Sequence, residues 1–87
     1  MHGWFYELQD FNCDISKWNV ENVCDMSDMF YNCKNFNQDV SNWDVRNVKD
    51  MGRMFYDCSS FDQDISNWKL KKVKKMSYMF AGCREFN

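Results

Sequence analysis

The chain repeats itself every 25 residues, and that period restricts its fold more than any single motif does. Aligning Phe11, Phe36, Phe61 and Phe86 also aligns Asp14 with Asp39 and Asp64, Ser16 with Ser41 and Ser66, and Trp18 with Trp43 and Trp68. Val23, Val48 and Val73 follow, as do Met26, Met51 and Met76, then Met29, Met54 and Met79, Phe30, Phe55 and Phe80, and Cys33, Cys58 and Cys83. Residues 11–35 match 36–60 at fourteen of 25 positions, and 36–60 match 61–85 at twelve. Read backwards, the register sets Met1 at the Met26 position, Trp4 at Met29, Phe5 at Phe30, Tyr6 at Tyr31 and Leu8 at Cys33. A unit this short cannot bury its own apolar face and must bury it against its neighbours. The expected organisation is a single array over 1–87: a partial coil 1–10, coils 11–35, 36–60 and 61–85, and a partial coil 86–87. Because it is in phase from its first residue, stops mid-phase at Phe86-Asn87 and shows no divergent polar capping repeat, the array is expected to be a segment of a longer one.

Within each unit the spacing suggests two elements. Met26, Met29, Phe30 and Cys33 stand at i, i+3, i+4 and i+7, the pattern of one helical face, and predict short helices or 3₁₀ turns over 26–33, 51–58 and 76–83. Asp25 or Ser27 suits the start of such a helix, and Gly82 suits its end in the third copy. From Asp14 to Val20 the sequence alternates, with Ile15 and Lys17 on one side and Ser16, Trp18 and Val20 on the other, which predicts a short strand. Stacked at the usual strand spacing, these units predict an α/β repeat solenoid of about three and a half coils and about 17 Å in length, with an open apolar face at each end. The expected core ladders run through Phe36, Trp43, Val48, Met51, Met54, Phe55 and Cys58 and their equivalents.

Charge is small in total and uneven along the chain. The net value is −2, so no general affinity for polyanions follows. Residues 1–35 carry −4, 36–60 carry −1 and 61–87 carry +3, the last because Lys69, Lys71, Lys72, Lys74 and Lys75 cluster there. That cluster is a candidate partner surface, and its position opposite an acidic end suggests head-to-tail association. No nucleic-acid role is expected, since the aromatic residues are assigned to the core rather than interleaved with lysine. No apolar run approaches the roughly 20 residues needed to cross a bilayer, and the start lacks the pattern of a signal peptide, so no membrane insertion is expected.

Residues capable of chemistry are scarce. Cys33, Cys58 and Cys83 are spaced 25 apart, not in zinc-binding pairs, and are expected as reduced thiols packed in the core. Cys13 and Cys24 replace Gln or Lys of other copies and are expected at the surface, bridged to one another or free. Asp14, Asp39 and Asp64 are expected to cap turns rather than to ladder metal ions. His2 is the one histidine, so no nucleophile–histidine arrangement is available. No enzyme activity, catalytic residue, cofactor or metal is expected. The Trp18, Trp43 and Trp68 ladder would stack sugars if exposed but is assigned to the core.

Residues 36–58, Phe-Asn-Gln-Asp-Val-Ser-Asn-Trp-Asp-Val-Arg-Asn-Val-Lys-Asp-Met-Gly-Arg-Met-Phe-Tyr-Asp-Cys, resemble the bacterial surface protein repeat of 25 or 26 residues. That repeat is found in mycoplasma and listerial lipoproteins and is grouped with BspA-type leucine-rich repeats. The resemblance implies a leucine-rich-repeat-like surface solenoid used for adhesion or protein interaction, without catalytic residues. Copy three departs from it through its lysines. The expected function is a non-enzymatic structural or protein-interaction repeat module, whose partner is another protein or adjoining repeats of the same chain. Two alternatives stand beside it: a surface adhesin for host protein or glycan, and a subunit of a giant-virus virion or other intracellular assembly. The resemblance points to the cell surface, whereas the free thiols and missing signal peptide point to an enclosed setting. The positions that vary between copies, namely Lys17, Asn42 and Asn67, Glu21, Arg46 and Lys71, and Asp28, Arg53 and Tyr78, are where specificity is expected.

Overall fold

The computed structural model describes residues 3–86. It overturns the expected α/β solenoid with a strand and a helix in each coil. No helix and no multi-residue strand forms among the described residues, where the β-type pairing is confined to parallel bridges joining Asp25 to Asp50 and Asp50 to Lys75. The molecule measures 28 × 26 × 24 Å, a globule rather than a short rod. It is built from consecutive tight turns.

The turns explain why the helical spacing misleads. Met29 N–H closes on Met26 C=O, Tyr31 on Asp28, Cys33 on Phe30 and Phe36 on Cys33, so apolar side chains recur at intervals of three without any i→i−4 bonding. The alternate donors leave the segment: Met26, Asp28, Phe30 and Asn32 donate N–H to the carbonyls of Asp50, Gly52, Met54 and Tyr56. Met51, Arg53, Phe55 and Asp57 donate in the same way to Lys75, Ser77, Met79 and Ala81. To aim every second N–H outward, the backbone turns left-handed at Asp28 (φ 57°) and Asn32 (φ 59°), Arg53 (52°) and Asp57 (60°), and Tyr78 (57°) and Gly82 (80°). Asp, Asn and Gly tolerate that region best, and they fill four of these six positions. A helix over 26–33, 51–58 or 76–83 is therefore excluded twice, by dihedral and by donor direction.

The predicted strand is bent for a related reason. Asp14 Oδ1 accepts the Ser16 N–H at 2.9 Å, and Trp18 N–H then closes on Ile15 C=O at 3.1 Å. This Asx turn followed by a β-turn recurs at Asp39–Trp43 and Asp64–Trp68. Turning at this point brings positions 15, 18 and 20 of the unit to one side, so Val40, Trp43 and Val45 are all buried. The alternation that set Ile15 against Trp18 and Val20 does not hold.

The interior consists of aromatic rings in two parallel columns. Phe5, Phe30, Phe55 and Phe80 stack at 5.5, 5.4 and 5.6 Å, and Phe11, Phe36, Phe61 and Phe86 at 5.7, 6.0 and 5.7 Å. The columns touch within each unit, as between Phe30 and Phe36 at 4.1 Å. Methionines and valines fill the space around them, with Met26, Met29, Val48, Met51 and Met54 fully buried. On the outside, asparagine and glutamine clip neighbouring units together. Asn37 N–H donates to Asn12 Oδ1 and Asp62 N–H to Asn37 Oδ1, while the Gln38 and Gln63 amides donate to the same two asparagines. The high asparagine content thus serves inter-unit bonding.

Candidate interaction surface

The residues assigned to the core ladders lie in the interior: Phe36, Val48, Met51, Met54, Phe55 and Cys58 have no exposure and Trp43 has 3%. Trp43 Nε1 donates to Ile15 C=O at 3.0 Å and Trp68 Nε1 to Val40 C=O at 2.9 Å, so both indoles are occupied and covered. No sugar ring has access to these two, whereas Trp18, expected in the core with them, is 39% exposed beside Trp4. Cys33, Cys58 and Cys83 donate their S–H groups to Phe5, Phe30 and Phe55 carbonyls. Burial pushes the Cys33 and Cys83 thiols up to about 11, and Cys58, the deepest, higher still. These are protonated packing groups, not nucleophiles. Cys13 and Cys24 are exposed free thiols.

The Asp14, Asp39 and Asp64 carboxylates all sit below their ordinary range. Serine holds them there: the Ser16 and Ser66 backbone N–H groups act first on Asp14 and Asp64, and the Ser41 hydroxyl first on Asp39. They cap turns. Among the described residues no group of three His, Cys, Asp or Glu side chains is placed to hold a metal ion, and no helix is long and apolar enough to cross a membrane.

What remains for recognition is a polar side face. Asp28 and Arg53 occupy equivalent left-handed corners of successive units, and Arg53 Nε pairs with Asp28 Oδ1 at 3.1 Å. The third corner carries Tyr78, 71% exposed. These three positions, expected on a helix, instead stand at turn apices, where the backbone presents side chains outward; Asp28 alone is drawn in by its ion pair. Around them lies an open groove of about 470 Å³ lined by Ser27, Asp28, Asp50, Gly52, Arg53, Lys75, Ser77 and Tyr78. Both signs of charge meet in it.

Beside the groove runs a tyrosine column that none of the sequence motifs marked as a site. Tyr6, Tyr31 and Tyr56 stack at 4.6 and 4.9 Å with nearly parallel rings, and Arg53 sits over the Tyr31 ring at 5.9 Å. Partial desolvation raises the Tyr31 phenol above its usual value, with Tyr6 and Tyr56 adding to the effect. The signal for it was present: Tyr6, Tyr31 and Tyr56 share one register position, and Ala81 breaks the series.

The lysine cluster is exposed throughout. Lys69, Lys71 and Lys72 border a shallow hollow of about 270 Å³ with Arg46 and Asn47, and Lys72 Nζ donates to Asn47 Oδ1 at 3.0 Å. Lys75 belongs to the groove, and Lys74 contributes its backbone N–H to Lys49 C=O. The structure thus divides the five lysines between two places. The other varied positions, Lys17, Asn42, Asn67, Glu21, Arg46 and Lys71, are all exposed.

The model of one protein family, DUF285, described as a Mycoplasma protein of unknown function, matches residues 1–87. The chain belongs to this family. Membership agrees with a mycoplasma-type repeat, while the leucine-rich-repeat character implied by the resemblance finds no counterpart among the described residues, which form no helix and no strand beyond isolated bridges. No curated protein and no solved structure matches the chain.

Proposed function

We propose that this chain is a non-enzymatic repeat module that holds a varied polar side face on a constant aromatic core for recognition of a protein partner. One observation carries the reading. At the left-handed corners Asp28, Arg53 and Tyr78 differ in charge, size and hydrogen-bonding character, while the residues beneath them, Met29, Met54 and Met79, are identical and buried. A scaffold that keeps its interior and changes its rim is suited to selective contact, and an exposed tyrosine and a partly free arginine are the side chains that carry most interface energy. The groove supports the same reading. It is open and mixed in charge, without the enclosed, convergent titratable groups that chemistry requires.

The test is site-directed photo-crosslinking on the chain in its native source. A photoreactive residue at position 78 should capture one defined protein, whose affinity falls about tenfold or more in Arg53→Ala or Tyr78→Ala. A crosslinker at Gln63, on the asparagine side, should not capture it. Equal capture from both positions, or affinity indifferent to both substitutions, overturns the proposal.

A further inference from the structure

One ring column is missing a rung, and the gap lies beside the groove. Both phenylalanine columns continue into the third unit, with Phe80 on Phe55 at 5.6 Å and Phe86 on Phe61 at 5.7 Å. The tyrosine column does not. Tyr31 carries Tyr6 on one face and Tyr56 on the other, at 4.6 and 4.9 Å with the rings within 10° of parallel. Tyr56 carries Tyr31 on one face, and at the next rung the chain places Ala81.

The backbone at that rung has the geometry that holds a ring in the other units. Ala81 N–H closes on the Tyr78 carbonyl as Tyr56 N–H does on Arg53 and Tyr31 N–H on Asp28. The Ala81 carbonyl accepts from Asp57 as the Tyr56 carbonyl accepts from Asn32. A methyl group thus stands where the equivalent positions carry a phenol, and the far face of Tyr56 meets no other ring among the described residues. The vacancy belongs to position 81 within the third unit, so a unit stacked beyond it would add a wall to the slot and not an occupant.

The surroundings are aromatic and open. A hollow of about 380 Å³ lies here, lined by Tyr31, Arg53, Tyr56 and Tyr78. Arg53, the nearest cation, does not fill the vacancy: its guanidinium sits over the Tyr31 ring and is held by Asp28. The third unit carries its tyrosine at the corner instead of in the column, since Tyr78 stands in the place of Arg53 and Ala81 in the place of Tyr56. Two aromatic side chains, the free face of Tyr56 and the exposed Tyr78, therefore border a space one ring deep.

We infer that the vacancy at position 81 receives one aromatic side chain of the protein partner, a tyrosine or tryptophan, stacked on the free face of Tyr56. This names the partner's chemistry and rests on the reading of the groove as a protein-recognition face, with which the vacancy is continuous through Arg53 and Tyr78. An uncovered ring face is an apolar surface that another ring covers in offset geometry at the separations this column already uses. The openness of the site favours a ring carried on a protein. Stacking on one side buries little of a free small molecule, whereas a side chain within a wider contact adds its stacking to the rest of the interface.

The experiment has two arms. In the first, the Tyr56 ring protons of the chain are followed by NMR as the tripeptide Gly-Trp-Gly or Gly-Leu-Gly is added. The tryptophan peptide should shift them upfield in a saturable way and the leucine peptide should not, and Ala81→Tyr, which completes the column, should weaken the response about tenfold or more. In the second arm, Ala81→Tyr should lower the affinity of the protein captured from position 78 by a similar factor. Ala81→Leu fills the same space and replaces Ala81→Tyr if the melting temperature shows that variant to be unfolded. Capture from position 78 that is indifferent to filling the slot overturns the inference and leaves the proposed partner standing. Absence of any capture overturns the reading beneath it, and the inference with it. An equal response to the two peptides overturns the inference as well, and so does saturation by adenosine at lower concentration than by Gly-Trp-Gly, which would assign the vacancy to a nucleobase.

Discussion

At the residue scale, where a buried polar atom has a defined partner, the loss of that partner has a predictable cost. Trp43 is the clearest case: its ring lies in the core and its Nε1 satisfies the Ile15 carbonyl. Trp43→Phe keeps most of the ring volume but leaves that carbonyl without its donor, and chemical denaturation should show a loss of about 1–3 kcal/mol. An unchanged midpoint would mean that water replaces the indole. The thiols predict a pH limit. A folded-state value raised above the ordinary one favours the protonated form, so the contribution of Cys33, Cys58 and Cys83 is complete below their ordinary value near 9 and fades as pH climbs toward about 11 and beyond. The depressed carboxylates act in the opposite direction. The contribution of Asp14, Asp39 and Asp64 is present above the ordinary carboxylate value and lost as pH falls through the lowered one. Melting temperature against pH should therefore form a plateau with two descending limbs, and replacing the three aspartates by asparagine should flatten the acid limb alone. Thiol labelling supplies a further check: Cys13 and Cys24 should react at once, and Cys33 and Cys58 only on unfolding.

At the scale of the element, the unit is a run of turns held open by left-handed residues. Tyr78 adopts φ 57° although a bulky L-residue is disfavoured there. Tyr78→Gly should therefore leave stability unchanged or raise it by up to about 1 kcal/mol, a melting shift of about 4–8 °C for a domain of this size. Tyr78→Val, branched at Cβ, should lower it. If both substitutions destabilise equally, the tyrosine ring contributes through contacts and not through its backbone. Gly82 is a different case. A Cβ there would strike the Asp57 carboxylate and backbone, so Gly82→Ala should destabilise through both collision and dihedral. Far-UV circular dichroism should show neither a helical nor a sheet spectrum, because the turns use i→i−3 and between-unit bonds.

Across the whole molecule, stability comes from neighbours in space that are distant in the chain. The first segment, 3–10, covers Phe30 and Cys33 through four backbone bonds, the Phe5 ring and the Tyr6 stack on Tyr31. Removing residues 1–10 would expose the Phe30 and Phe11 rings, on which Phe5 stacks, to water. Each ring so exposed forfeits part of the roughly 1.5–3 kcal/mol that burial contributes, and the melting temperature should drop by more than about 10 °C. A truncated chain as stable as the full one would show that units 11–86 are self-sufficient. Because each unit pairs with the next through the same rungs, unfolding should be a single transition in the intact chain and broader in the truncated one.

The period, the residues packed in the middle units and the varied rim could all be read from the chain, because a repeated apolar position with a neighbour on each side is covered; at the outer units the same positions open, Trp18 to 39% and Met76 to 43%. Phe36, Trp43 and Met54 needed no knowledge of dihedrals to be assigned inside. The type of element could not be read in the same way. Spacings of three and four at Met26, Met29, Phe30 and Cys33 suit both a helix and a succession of β-turns, and local sequence does not say where the N–H of Phe30 will point. That choice lies with the neighbouring unit: its carbonyls at Asp50, Gly52, Met54 and Tyr56 offer acceptors in line, and accepting them requires left-handed residues at Asp28 and Asn32. The tyrosine column and the Asp28–Arg53 pair arise from the same step, since they exist only once units lie one above another. The sequence by itself thus determined what is buried and what varies. Only the tertiary structure decided how the backbone turns, because the hydrogen bonds that select the turn are made between units and not within them.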